Sequence, residues 1–437
     1  MTNGENGSNG SERLAPTQIQ SRSNDVVMRA RSNDVVMRMR SYGLKDTEGG
    51  AMGEFGKVIG VDVEKLGGLE PLIRDAAEIA LTTWDARPLI QNVRFAPGPE
   101  DGGIALHHDE GGWYFEAVPT RRGVESIATR LDVPTAYLRR LVYGSNTAKK
   151  RTPAEIEAAC GLLNALVQSH TRKDERVLVR NFNDPADSGW QRHPSGSDHY
   201  ETRRQCRAVL SSSYKVMDAF DLLGPACRAL SSHLPDDVTL DYHHVDYEGM
   251  AAALKFPKTE VVVGGRKDVY RMGFVLKNNE VGLGGLEVAP RLWREVCSNG
   301  MVIEEFVYRK IHLGGALEGA AREILEQSIY HAVQHALGSM PRVVEALNSA
   351  QQEPEANPLQ RLSVIGEKAD LSEDQRLRLV AAFGQESEAT RHGVVQAVTA
   401  TARDSAAVPD RQRLEALGGK LLMMSPAAYN GVFPVAA

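Results

Sequence analysis

Tyr270, Met272, Phe274 and Leu276 occupy every second position of Val269–Lys277, the spacing of a β-strand with one buried face. That alternation has neighbours of the same kind. Val238–Asp246 and Met250–Phe256 flank Glu248-Gly249 as the arms of a hairpin, and strand signals return at Leu286–Ala289 and Leu292–Cys297 after the turn-rich NNEVGLGG. Upstream, Asn92–Phe95, Ile104–His107, Trp113–Val118 and residues 176–182 and 206–211 also read as strands.

Helical spacing brackets these strands. Leu69–Leu81 forms one helix, and Val124, Ile127, Ala128 and Leu131 mark one face of another. Tyr137, Leu138 and Leu141 mark a short helix after Asp132-Val133-Pro134-Thr135. Thr152, Pro153 and Glu155 spell a capping box with proline at the first helical position, before the apolar stripe Ile156, Cys160, Leu163 and Val167. Asp218 opens a helical stretch with Pro225 as a kink or restart. From Leu317 onward the chain is helical, with a polar connection over 351–359, a second capping box at Ser372 and Gln375, and helices over about 386–404 and 410–424. The order is helices, then an antiparallel sheet, then helices, which is α+β rather than a βαβ repeat.

Residues 1–56 are rich in Gly, Ser, Asn and charge and are expected to form a disordered tail. They carry RSNDVVMR twice, at Arg22–Arg29 and Arg31–Arg38, which is read as a slipped duplication rather than a repeated linear motif. The expected division is a tail over 1–56, an α+β core over 57–315 and a helical region over 316–437 packed on it. No run of about 18 apolar residues is present, so no membrane span is expected. The N-terminus lacks the features of a secretory signal, and Cys160, Cys206, Cys227 and Cys297 suit neither a disulfide framework nor a zinc site. A reducing cytoplasm is the expected home, and no cofactor is implied.

Motifs for common chemistries are missing. There is no GxxxxGK[ST], GxSxG or HExxH, and Gly264-Gly265 and Gly282-Leu283-Gly284-Gly285 read as hairpin turns. His243 and His244 are adjacent on a strand and point to opposite faces; His244 shares a face with Asp246 but gains no third ligand. His107-His108-Asp109 precedes a Gly-Gly turn. His331 and His335 lie one turn apart on a polar helix face. Cys297 has no histidine near it until His312 and reads as a structural thiol.

Charge is uneven. Residues 121–215 hold 17 Lys/Arg and 10 Asp/Glu, a balance of +7 inside a 437-residue chain that totals −6. Arginines dominate, with Tyr137, Tyr143, Phe182, Trp190, Tyr200 and Tyr214 among them. Guanidiniums bind phosphates in a bidentate manner and aromatic rings stack on bases, so the mixture suits single-stranded nucleic acid; the alternative is a set of solvated, salt-bridged helix faces. GVESIATRLDVPTAYLRRL also has the outline of a helix-turn-helix, whose second helix would read a major groove. Against it, Asp132-Val133-Pro134 offers no glycine at the turn and the second helix is short.

Four segments, GVESIATRLDVPTAYLRRL, RAVLSSSYKVMDAFDLL, GFVLKNNEVGLGGLEVAPRLWREVCSNGMV and VVQAVTATAR, together resemble the phage/plasmid-like proteins classed as domain of unknown function 932. The most specific element is Asn279–Gly282 followed by Cys297–Gly300; Gln396 departs from the Asn of the family's last helix. The resemblance covers about residues 120–424 and implies a protein carried by mobile elements. It supplies no catalytic residue. By association it points to an accessory of DNA replication or recombination, and the expected activity is single-strand binding or annealing, on DNA or RNA. The expected contacts are Arg203, Arg204, Arg207, Tyr214 and Lys215 near a strand edge, with Arg271, Lys277, Arg291 and Arg294 on the central sheet. Two other classes stay open: an enzyme with a site around Asn279, Glu280, Cys297 and Asn299, and a protein-interaction or anti-defence factor. Homo-oligomerisation also stays open.

Overall fold

The computed structural model describes residues 68–435 except 99–102, 111–112, 145–150, 170–173, 193–197, 215, 232–237, 264–267, 296–298, 305–307, 311–317 and 387. The expected tail over 1–56 therefore lies outside the described residues, as do Lys215 and Cys297. The fold is α+β, as the order of periodicities implies. Its strands, however, form two sheets rather than one, and the described residues fall into two compact units. One runs from Leu81 to Ser212; the other joins residues 68–80 to Ser213 and everything after it. This differs from the expected division at residue 315. Alternation reveals which face of a strand is buried but not which strands are its neighbours.

In the first unit the strands are β1 (Thr83–Ala86), β2 (Arg94–Pro97), β3 (Ile104–Glu110), β4 (Trp113–Pro119), β5 (Val177–Arg192) and β6 (Asp198–Ser211). Their order is β1-β5-β6-β4-β3-β2. All pairs are antiparallel except β4 and β6, where Val118 lies opposite Gln205 in a parallel register. That pairing needs a long crossover, and it contains α2 (Arg121–Arg130), α3 (Thr135–Tyr143) and α4 (Pro153–Ser169). The three helices share one apolar core with the sheet: Val124, Ile127, Ala128, Leu138, Val142, Ile156 and Leu163 meet Ile104, Leu106, Val177, Val179 and Val209. The capping box at the start of α4 forms as expected. Glu155 Oε2 accepts from Thr152 N at 2.7 Å, and Thr152 Oγ1 accepts from Glu155 N at 3.3 Å.

His108 on β3 is 1% exposed, with its ring centroid 6.2 Å from that of Trp84. Burial first, and the neighbouring His107 second, push its imidazole down from 6.5 to about 4. The unfolded chain therefore binds a proton that the folded chain refuses between those two values. Stability from this group is complete above about pH 6.5 and is lost as pH falls toward about 4, by roughly 2–3 kcal/mol. Urea titrations across that window should show the loss, and His108→Phe should flatten it; an unchanged pH slope in the variant would sink the prediction.

The second unit begins with α1 (Glu70–Thr82), whose Asp75 Oδ2 lies 2.8 Å from His243 Nε2 and accepts its N–H. After α5 (Ala219–Ser231) come β7 (Thr239–Val245), β8 (Gly249–Val263), β9 (Asp268–Asn279), β10 (Leu286–Arg294), β11 (Asn299–Val302) and β12 (Tyr308–Lys310). They form an antiparallel sheet in the order β11-β10-β9-β8-β7, with β12 also on β10. The remaining elements are α6 (Glu318–Gln352), α7 (Pro358–Lys368), α8 (Glu373–Glu386), α9 (Arg391–Arg403), α10 (Val408–Met423) and α11 (Pro426–Val432). Helix α6 runs further than its apolar stripe suggested, through Pro341. Helix α9 is buried from Arg391 to Ala402, which its small Gly, Ala, Val and Thr side chains permit. Among the described residues no helix is long and apolar enough to cross a membrane.

Candidate nucleic-acid interface

The basic segment of the sequence becomes a helix pair fixed to the first sheet. Thr120 caps α2, its Oγ1 accepting from Gly123 N at 3.0 Å while its own N–H donates to Cys206 O at 2.9 Å. Gly123 lies so close to β6 that a Cβ there would stand 2.3 Å from Cys206 O. One turn on, Ser126 Oγ accepts from Val209 N at 2.8 Å. Three successive features of α2 thus bind it to one strand.

The turn after α2 resolves the missing glycine. Asp132 itself takes the left-handed conformation at φ 53°. Val133 N donates to Ala128 O at 3.0 Å and Asp132 N to Thr129 O at 3.4 Å, the paired bonds of a Schellman cap. Aspartate tolerates this conformation better than most residues. Pro134 then starts α3. Leu138 and Val142 are buried, and Leu131, Val133 and Leu141 pack against the same core. The outward stripe is Ala136, Tyr137, Arg140 and Tyr143, with the two tyrosines 45% and 40% exposed.

Electrostatics concentrate here. Residues 121–151 hold eight Lys/Arg (121, 122, 130, 139, 140, 149, 150, 151) and two acids (125, 132), so 8 − 2 = +6 of the +7 lies in this stretch. Glu125 alone meets three guanidiniums: Arg121 at 3.5 Å, Arg122 at 2.5 Å, and Arg139. Burial works against its charge, but the hydrogen bonds from Arg122 and Arg139 hold its carboxyl below the usual range. Arg140 is exposed and has no ion pair among the described residues. Tyr143 OH donates to Pro119 O at 3.0 Å, and burial pushes its phenol up to about 12, so it stays a donor at neutral pH.

Of the contacts expected on the second unit's sheet, three arginines are held in ion pairs. Arg291 is buried with its side chain fully covered. It grips Glu415 through Nε at 2.9 Å and Nη2 at 2.8 Å, and its Nη2 also reaches Asp241 at 2.8 Å. Arg411 joins the same two carboxylates at 3.1 and 2.6 Å, Lys255 pairs with Asp241, and Tyr242 OH donates to Glu415 at 3.0 Å. Gly300 leaves the space: a Cβ there would lie 2.1 Å from Arg291 Nη2. Arg294 pairs with Asp268 at 2.9 Å, and Arg271 with Glu295 at 2.9 Å and Glu260 at 3.2 Å. These arginines neutralise acids of their own unit. Arg207 is 1% exposed, Arg204 and Lys277 are half-buried, and the side chain of Arg203 lies outside the described residues. Tyr214 donates through its hydroxyl to Asn279 O at 3.1 Å.

Asn279, Glu280 and Asn299, the described residues of the enzyme alternative, have structural work. Asn279 Oδ1 accepts from Val281 N at 3.2 Å and Leu283 N at 2.7 Å, closing a turn. Glu280, 1% exposed, accepts from Ala219 N at 2.6 Å at the start of α5, and Asn278 Nδ2 donates to Met217 O at 2.8 Å. The Asn-Asn-Glu stretch thus anchors the entry to α5. Asn299 accepts from Arg403 at 3.3 Å. Gln396 sits in a buried array, donating to Tyr270 OH at 3.0 Å while that hydroxyl lies 2.7 Å from His392 Nε2. Among the described residues no group of three or more His, Cys, Asp or Glu is placed to hold a metal ion.

Tyr137, Arg140 and Arg121 were visible in the sequence as part of the basic stretch but not as its outward face. The signal that isolates them is the polar side of the helical period set by Val124, Ile127, Leu138 and Leu141. No family model, curated protein or solved structure matches the chain.

Proposed function

We propose that this protein binds nucleic acid through the α2–α3 face of its first unit, as an accessory of the replication or recombination of a mobile element. The observation that carries this is the balance of the helix pair itself, five arginines against two acids over 121–143, so 5 − 2 = +3, with Arg140 and Tyr137 exposed on it. Phosphate neutralisation by such residues releases counterions, which makes binding favourable and salt-dependent. Of the expected sheet contacts, Arg291 and Arg294 are held in ion pairs, so the contacts proposed here are those of the helices.

The test is a fluorescence-anisotropy titration of the full chain against labelled single-stranded and duplex oligonucleotides. Binding to at least one is expected at about 50 mM salt with micromolar protein, weakening by about 0.7–0.9 log units per phosphate contact for each tenfold rise in salt. Arg121→Glu with Arg140→Glu should weaken it more than tenfold and flatten the slope. No binding to either probe would remove the proposal.

A further inference from the structure

Among the described residues two helix pairs share the same turn, and of these two the α2–α3 pair is the basic one. After α7, Asp370 takes φ 50°, Leu371 N donates to Gly366 O at 2.9 Å and Asp370 N to Glu367 O at 3.1 Å. This repeats the Schellman turn at Asp132. Helix α8, which follows, opens with Glu373 and Asp374 and exposes Leu377 and Val380. Residues 358–386 hold four Lys/Arg and five Asp/Glu, so 4 − 5 = −1. The turn is therefore a way of joining helices, and it carries no ligand preference by itself. Charge and the exposed stripe separate the two pairs, and both favour a polyanion at α2–α3.

The shape of that surface narrows which polyanion. Sequence-tolerant single-strand sites combine a groove that tracks the backbone with rings on which bases stack. The exposed stripe of α3 runs instead along a single nine-residue helix, Thr135–Tyr143. Its exposed ring nearest the helix start is Tyr137, and the other, Tyr143, is tethered through its hydroxyl to Pro119 O at 3.0 Å. A helix about 10–12 Å across matches a B-form major groove about 12 Å wide. Within that groove Arg140 has the fork geometry for a guanine edge, and Ala136 is small enough to meet a thymine methyl. Arg121 and Arg122, in the first turn of α2, are placed for the phosphates that fix register. The clamps from Thr120, Gly123 and Ser126 to β6 hold α2 still, so α3 is presented on a rigid support.

From these observations we infer that α3 is a reading helix for double-stranded DNA, entering the major groove with Arg140 and Tyr137 toward the bases. This rests on the nucleic-acid proposal above and names its substrate class. The decisive comparison uses three labelled probes of one sequence, with the full chain at about 50 mM salt: a single strand, its duplex, and the duplex carrying glucosylated 5-hydroxymethylcytosine, whose sugars fill the major groove. The plain duplex should bind at least tenfold tighter than the single strand, and the glucosylated duplex should lose most of that gain. Arg140→Ala and Tyr137→Ala should each weaken the plain duplex several-fold, and by a clearly larger factor than they weaken the glucosylated duplex. Equal or tighter binding of the single strand overturns the inference and leaves the broader proposal standing. So does equal binding of the plain and glucosylated duplexes. Failure of all three probes removes both.

Discussion

Arg291→Met is expected to destabilise the second unit by about 3–5 kcal/mol, the range for removing one partner of a buried ion pair. The substitution keeps an apolar stem and removes the guanidinium. Glu415, itself fully covered, then loses a bidentate partner, and Asp241 loses one of its three cations. Arg411, Tyr242 and Lys255 remain, which limits the loss but leaves the carboxylates under-compensated. Burial opposes the charge on Asp241, while Arg291, Lys255 and Arg411 hold its carboxyl below the usual range. Without Arg291 the Asp241 carboxyl should titrate higher, so the variant should fail at a less acid pH than the parent. Urea unfolding of the parent, Arg291→Met, Glu415→Gln and the double variant completes a cycle. The coupling between the two sites should exceed about 1 kcal/mol, and additive effects within about 0.5 kcal/mol would show that the pair contributes nothing as a pair.

The same arginine marks the limit of the sequence. Short-range signals survived into the structure because their partners are a few residues apart. The boxes at Thr152–Glu155 and Ser372–Gln375 close over three residues, and the β7–β8 hairpin turns where Glu248-Gly249 said it would. The partner of Arg291 is 124 residues away on α10, and nothing local distinguishes a strand arginine aimed at solvent from one aimed at a buried carboxylate. Arg294 likewise finds its partner Asp268 26 residues away, whereas Arg271 meets Glu295 and Glu260 at the surface. The helix pair was legible in outline, since Val124, Ile127, Leu138 and Leu141 repeat at helical spacing. Its turn was harder to read because aspartate, rather than glycine, supplies the positive φ. The split into two sheets was not legible at all: the strands of both units alternate alike, and pairing is decided by packing between distant segments.

Gly123→Ala should lower the stability of the first unit by about 3 kcal/mol, the upper end of the range for forced overpacking, and should weaken nucleic-acid binding with it. The added methyl would stand 2.3 Å from Cys206 O, a backbone atom in the middle of a paired strand, so it has no flexible neighbour to push aside. Helix α2 must lift instead. Lifting stretches the Thr120 N–H to Cys206 O bond and the Val209 N–H to Ser126 Oγ bond, both of which now hold α2 to β6. Since α3 is joined to α2 by a four-residue turn and shares its core, the face carrying Tyr137 and Arg140 moves as well. Arg140→Ala is the control, because an exposed arginine without an ion pair among the described residues contributes little to folding. Thermal unfolding and oligonucleotide anisotropy on the two variants separate the cases. Gly123→Ala should lower both the melting temperature and the affinity, and Arg140→Ala only the affinity. A Gly123→Ala protein that melts with the parent would mean that α2 does not depend on its close approach to β6, and that the support proposed for the reading helix is absent.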